Sequence, residues 1–256
     1  MLPRAHYSNT IRSTNMSKKI DDLTADLFAG QNHELAVQFT EWLNSSTRFV
    51  SFAEAYRSKI RKKIRGIRDE EGLRDLQFEL EIAYLLLNEQ RFAVEYEKYG
   101  VGKQRSPDFL VTFRTNVPFN VEVKHIRFTA QEQRSEQQEF GKLANIVCQK
   151  IGQLAPGMLN LLVLSYEHDR VDGFDGPTAL QQLRRLAEQK DDAFFARRGL
   201  ADARDFIRQF QRLSAALFRV YQADGSVQNM LWPNTNTKHR VPDELRNALV
   251  RAFRSA

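Results

Sequence analysis

Apolar positions change their spacing twice along this chain, and the changes divide it. Over 20–44, Leu23, Leu27, Leu35, Phe39 and Leu43 recur at helical intervals, with a break expected at Gly30-Gln31-Asn32. A second helix is expected over 51–68, where Phe52, Tyr56, Ile60, Ile64 and Ile67 form one stripe. The rest of its surface is cationic, with Arg57, Lys59, Arg61, Lys62, Lys63, Arg65 and Arg68. A third helix, over 73–89, carries Leu76, Leu80, Ala83 and Leu87 on one side. The period then falls to two. Residues 92–96, 108–113 and 119–124 alternate as short strands do, and Asn116 and Pro118 suit a hairpin turn between the second and third. A helix over 131–154, stopped by Pro156-Gly157, leads into the continuous apolar run 159–165, which predicts a strand buried on both faces.

The predicted order is helix, three strands, helix, strand, an α/β core over 71–170. Residues 1–19 are polar and without period and read as a flexible leader, and 20–70 as N-terminal helices. Residues 171–256 read as a C-terminal helical extension with Arg-rich faces, interrupted near 224–240.

Composition narrows the class of protein. The 256 residues are 42% hydrophobic and 27% charged, enough for a sizeable core. Lys and Arg number 38 against 32 Asp and Glu, a net charge of +6, which is compatible with an anionic partner such as nucleic acid. One cysteine, Cys148, permits no disulfide framework and fits a reducing compartment. With no apolar signal segment and no run long enough for a membrane span, the expectation is a cytoplasmic protein without membrane association.

The chemistry concentrates at Ser106-Pro107-Asp108, heading one strand, and Glu122-Val123-Lys124 on the next. Alternation puts Glu122 and Lys124 on one face and Val121 and Val123 on the other. Two carboxylates and an ammonium would then converge across a hairpin. Asp108 and Glu122 offer hard oxygen ligands to Mg2+, for which Mn2+ can substitute, and the Val123 carbonyl could add another. Lys124 could position an attacking water or stabilise charge developing on a phosphate.

The pattern Pro107-Asp108 … Glu122-Val123-Lys124, with its setting of helix, three strands, helix and strand, resembles the PD-(D/E)XK nucleases, the restriction endonuclease-like superfamily. The run Phe78-Glu79-Leu80-Glu81-Ile82-Ala83-Tyr84-Leu85-Leu86 is similar to the first core helix of the methyl-directed restriction branch. The resemblance covers about residues 73–165. It implies a restriction endonuclease-like core, flanked here by N- and C-terminal helices, and a Mg-dependent DNA endonuclease. It adds Glu79 as a further acid assisting Asp108, Glu122 and Lys124, with Glu81 as the alternative. Double-strand cleavage by this fold often uses two active sites, so a homodimer is a further expectation.

Other features have two readings each. Glu122 and Lys124 could also be the wet face of an ordinary strand. Lys62 and Lys63 could grip a phosphate backbone, and Lys103 and Arg105 sit just before Asp108, but each could equally serve solubility. His125 should point away from Glu122 and Lys124 and pack, Cys148 suits a small core position, and Trp232 suits docking of the last helix better than stacking on a base. Gly100-Val-Gly102-Lys103 lacks the rest of a phosphate loop, so no nucleotide cofactor is expected. No zinc or EF-hand spacing is present. The large flanks leave a non-catalytic nucleic-acid-binding or assembly module that keeps the nuclease fold as the alternative function.

Overall fold

A computed structural model describes residues 7–29, 33–98, 106–128, 135–168 and 175–254. The chain divides into two compact units, Met1–Asn88 and Glu89–Ala256.

The first unit is helical: α1 (Tyr7–Phe28), α2 (Glu34–Ser45), α3 (Thr47–Ala55), α4 (Arg57–Gly66) and α5 (Glu70–Asn88). The stripe residues Leu23, Leu27, Leu35, Phe39 and Leu43 are all buried. Aromatic packing ties the elements together. Phe39 meets Phe28, Trp42 and Phe49 edge-on, and Tyr84 of α5 stacks on Trp42. Two expectations change. Residues 7–19 belong to α1 rather than to an unstructured leader, because extending a helix already nucleated by the buried Ile20, Leu23 and Leu27 costs little per residue. The helix expected over 51–68 is two helices, parted at Tyr56, whose backbone (φ −108, ψ 16) leaves the helical region. On α4, Arg57 and Arg61 both donate to Asp26 of α1, and the Arg57 hydrogen bond foremost holds that carboxyl below its ordinary range.

The second unit is a sheet with helices. In chain order it contains β1 (Phe92–Tyr96), β2 (Phe109–Phe113), β3 (Val117–Ile126), α6 (Glu136–Ile151), β4 (Leu159–His168), α7 (Gly176–Glu188), α8 (Asp192–Ala196), α9 (Ala203–Phe210), β5 (Ala215–Gln222), β6 (Val227–Pro233) and α10 (Asp243–Arg254). The six strands lie in sequence order. β1–β2–β3 form an antiparallel meander, β3, β4 and β5 run parallel, and β6 returns antiparallel. The parallel steps need crossovers, which α6 and then α7–α9 supply. Among the described residues the fold is thus mixed α/β, with ten helices and a six-stranded sheet. None of those helices is long and apolar enough to cross a membrane.

The C-terminal part departs most from expectation. It is not a helical extension, because β5 and β6 extend the same sheet. The run Ala-Ala-Leu-Phe-Arg-Val over 215–220 is buried throughout, and a short apolar run carries no period that separates strand from helix. Pairing with β4 decides it.

One core cluster of this unit lies on the sheet face that carries Ile126, Leu162, Leu164, Tyr166, Ala216, Phe218 and Val220. Onto it pack Leu143, Val147 and Ile151 of α6, Leu180 and Leu183 of α7, and Phe206 and Phe210 of α9. A capping box at Ser135 and Gln138 starts α6. Gly176 opens α7 against the ring of Phe218, where an added Cβ would fall 2.3 Å from Cε1. Phe218 is fully buried and has nowhere to turn, so Gly176→Ala should cost about 1–3 kcal/mol by overpacking. Urea unfolding measures this, and an unchanged midpoint would contradict the packing.

Burial pushes the Cys148 thiol from an ordinary 9.0, and the Tyr166 hydroxyl from 10.0, each up to about 12. Both folded values lie above the unfolded ones, so the folded chain keeps protons that the unfolded chain releases. Their contribution is complete below about pH 9 and is lost as pH rises through about 9 to 12. The melting temperature should therefore fall steeply over that interval, and the native thiol should resist a disulfide reagent at pH 8. A flat melting profile with a fast-reacting native thiol would refute both statements.

A polar knot joins the starts of β4 and β5. The buried Asn160 donates through Nδ2 to the carbonyls of Ala155, Met158 and Arg212 at 2.9, 3.1 and 2.9 Å. Its Oδ1 accepts from Asn120 Nδ2, and its own N–H donates to Ser214 Oγ. Asn234, also buried, donates to the carbonyls of Phe210 and Leu213.

Candidate active site at the head of β2

The register of the meander builds the site. Phe109 is paired with Val121, so Asp108, one residue before β2 begins, is one step from Phe109 as Glu122 is from Val121. Asp108 is held at two points. Its carbonyl accepts from the N–H of Glu97 at the end of β1, at 3.0 Å, and its Oδ2 accepts from the N–H of Val123 at 2.7 Å. The second bond matters more, because Val123 lies between Glu122 and Lys124. The carboxylate of the Pro-Asp step is thereby tied to the centre of the Glu-Val-Lys step. In extended backbone the N–H and C=O of one residue point to the same strand edge, so the Val123 carbonyl is turned towards the Asp108 edge as well.

Alternation along β3 separates the two faces as expected. Glu122, Lys124 and Ile126 pair with Leu162, Leu164 and Tyr166 and share the face covered by α6. Val121, Val123 and His125 take the other face. Glu122 is buried, Asp108 and Lys124 are half-buried. Glu122 is therefore no wet-face residue.

One further charged neighbour of Glu122 had no signal in the pattern of residues. Lys150, in the last turn of α6, donates to Glu122 Oε2 at 2.7 Å, with the two side chains only 18% and 8% exposed. A lysine beside the apolar positions Val147, Cys148 and Ile151 was visible. Its partner was not, because the partner depends on how far α6 travels back along β3.

His125 packs on the opposite face, as expected. Its Nδ1 lies 2.7 Å from Ser165 Oγ, and both residues are buried. Register continues this row through Ser165 to Arg219 on β5 and Asn229 on β6. Arg219 is 1% exposed and donates to Asn229 Oδ1 at 3.1 Å.

The remaining expected site residues fall elsewhere. Glu79 lies on α5 of the first unit, where its Oε1 accepts from Lys63 Nζ of α4 at 2.6 Å. An acid expected to assist the site and a lysine expected to contact phosphate are thus paired with each other. Glu81, the alternative acid, is buried. Lys62 is exposed on α4. Lys103 and Arg105 lie outside the described residues. Trp232 packs on Phe210 at 6.0 Å, against the core under α9.

No family model matches the chain, and no curated protein matches it. Among solved structures it is similar to Pyrococcus furiosus SfsA in complex with Ca2+, at 14% identity over 63% of this chain and 63% of that chain, with a TM-score of 0.29. The match spans less than two thirds of that protein's chain, and a TM-score this low does not establish a common fold.

Among the described residues no group of three or more His, Cys, Asp or Glu side chains is placed to hold a metal ion. The donors at the head of β2 are two carboxylates and a strand carbonyl. That set is too small for a closed zinc site or an all-protein calcium cage. It fits Mg2+, which binds through one or two carboxylates and keeps several waters.

Proposed function

We propose that this chain is a Mg2+-dependent nuclease with a restriction endonuclease-like core, to which the second unit contributes β1–β3, α6 and β4, that hydrolyses phosphodiester bonds in DNA. The observation that carries the reading is the 2.7 Å bond from Val123 N–H to Asp108 Oδ2, which joins the two halves of the motif. Asp108, Glu122 and the Val123 carbonyl would hold the ion, which Mn2+ can replace. When bound, it would stabilise charge on the phosphoryl oxygens and make a water more acidic. Lys124, on the same strand face as Glu122, orients the attacking water and meets the charge that develops as the phosphorus–oxygen ester bond breaks. The reacting residues all belong to the second unit. Lys62 offers an exposed phosphate contact on the first, whereas Lys63 is engaged with Glu79. Cutting both strands of a duplex would call for two copies of the site, hence a homodimer.

One observation favours the second reading, a non-catalytic nucleic-acid-binding module. Lys150 already supplies a cation to Glu122, so the buried carboxylate has a partner without any metal. Supercoiled plasmid separates the two. Nicking or linearisation with Mg2+ or Mn2+, abolished by EDTA and by Lys124→Ala, supports the nuclease. Salt-sensitive binding with no cleavage under either ion, on DNA or RNA, supports the module.

A further inference from the structure

We infer that Lys150 is a tethered cation that holds Glu122 in place when no divalent ion is bound and weakens binding of that ion. This rests on the metal-site reading above and concerns how that site is regulated.

A carboxylate as buried as Glu122 is costly unless a charge or strong donors face it. Lys150 meets that need at 2.7 Å. Its position is closely constrained. Val147 and Ile151, three residues before it and one after, are fully buried, and the capping box anchors the far end of the helix. Lysine also suits the last turn of a helix, where the backbone carbonyls carry partial negative charge. A divalent ion ligated by Asp108 and Glu122 would share Glu122 with this ammonium. Like charges sharing one carboxylate in a largely buried setting repel, and solvent screens them weakly. Lys150 is a positioning residue, distinct from Lys124. It keeps Glu122 ordered in the empty site and raises the ion concentration needed to fill it.

The test compares Mn2+ binding by calorimetry, with melting temperatures in EDTA and in Mn2+, for the full chain and for Lys150→Gln, Lys150→Arg and Asp108→Asn. Lys150→Gln keeps a donor and removes the charge. It should bind Mn2+ roughly tenfold more tightly, melt lower in EDTA, and gain more from Mn2+ than the natural chain does. Lys150→Arg should stay within about twofold of the natural chain. A Lys150→Gln affinity equal to or weaker than that of the natural chain overturns the inference and leaves the metal-site reading standing. Absence of Mn2+ binding by the natural chain, or binding unaffected by Asp108→Asn, overturns that reading and this inference with it. If Lys150→Gln unfolds in EDTA, recovery of its near-ultraviolet dichroism on adding Mn2+ supports the inference, and failure to recover counts against it.

Discussion

Under the proposed nuclease function, Lys124→Ala is expected to slow metal-dependent plasmid cleavage by about a hundredfold to a thousandfold, the usual cost of removing one positioned donor of charge from a hydrolytic site. The side chain is half-buried on β3, on the face it shares with Glu122 and beside the strand that Asp108 heads. It is not part of the core, so the protein should fold normally and keep its melting temperature within a degree or so. The loss should appear in the chemical step measured under single turnover, and not in the salt dependence of DNA binding. Lys124→Arg should recover only part of the rate, since a planar fork does not reproduce a compact ammonium. Cleavage by the alanine variant at the natural rate, with EDTA still inhibiting, would place the active site somewhere other than the head of β2.

Asn160→Ala should be strongly destabilising, at about 3–5 kcal/mol. The two hydrogens of one amide nitrogen are shared among three backbone carbonyls, from Ala155, Met158 and Arg212. All lie around a side chain that is 1% exposed. Removing it deprives those carbonyls of this donor and Asn120 of its acceptor, at about 1–3 kcal/mol for each group left unsatisfied, reduced where water enters the space. Asn160→Asp should be no better, because it turns a carboxyl oxygen towards the same carbonyls. Chemical denaturation gives the number. A loss under about 1 kcal/mol would mean that the knot is dispensable and that β4 and β5 are joined by their ladder alone.

Much of the candidate site's geometry was legible because it is written in local rules. Period two along 117–126 puts Glu122 and Lys124 on one face and Val121, Val123 and His125 on the other, whatever covers them. The hairpin distance between Asp108 and Glu122 follows from two short strands and a tight turn, since antiparallel neighbours are in reach by construction. The continuous apolar run before Ser165 required a strand buried on both faces, and β4 sits between two parallel neighbours. Residues 215–220 were misread for the complementary reason. They are just as apolar, but they follow helical patterns and contain Arg219, whose charge reads as surface until its partners across the sheet are known.

What the sequence determined by itself was the alternation, the helical stripes, the helix–strand–helix–strand order and the residue types of the Asp108, Glu122 and Lys124 set. These depend on neighbours a few positions apart, which backbone geometry alone brings together. Only the tertiary structure decided that Asp108 is fastened to the Val123 amide, that Lys150 faces Glu122, that Lys63 and Glu79 occupy each other, and that β5 and β6 complete the sheet. Each of those depends on pairing between segments 15 or more residues apart. Such pairs are chosen by which packing buries the most apolar surface while leaving no charge or amide unpaired, and that choice is a property of the whole chain.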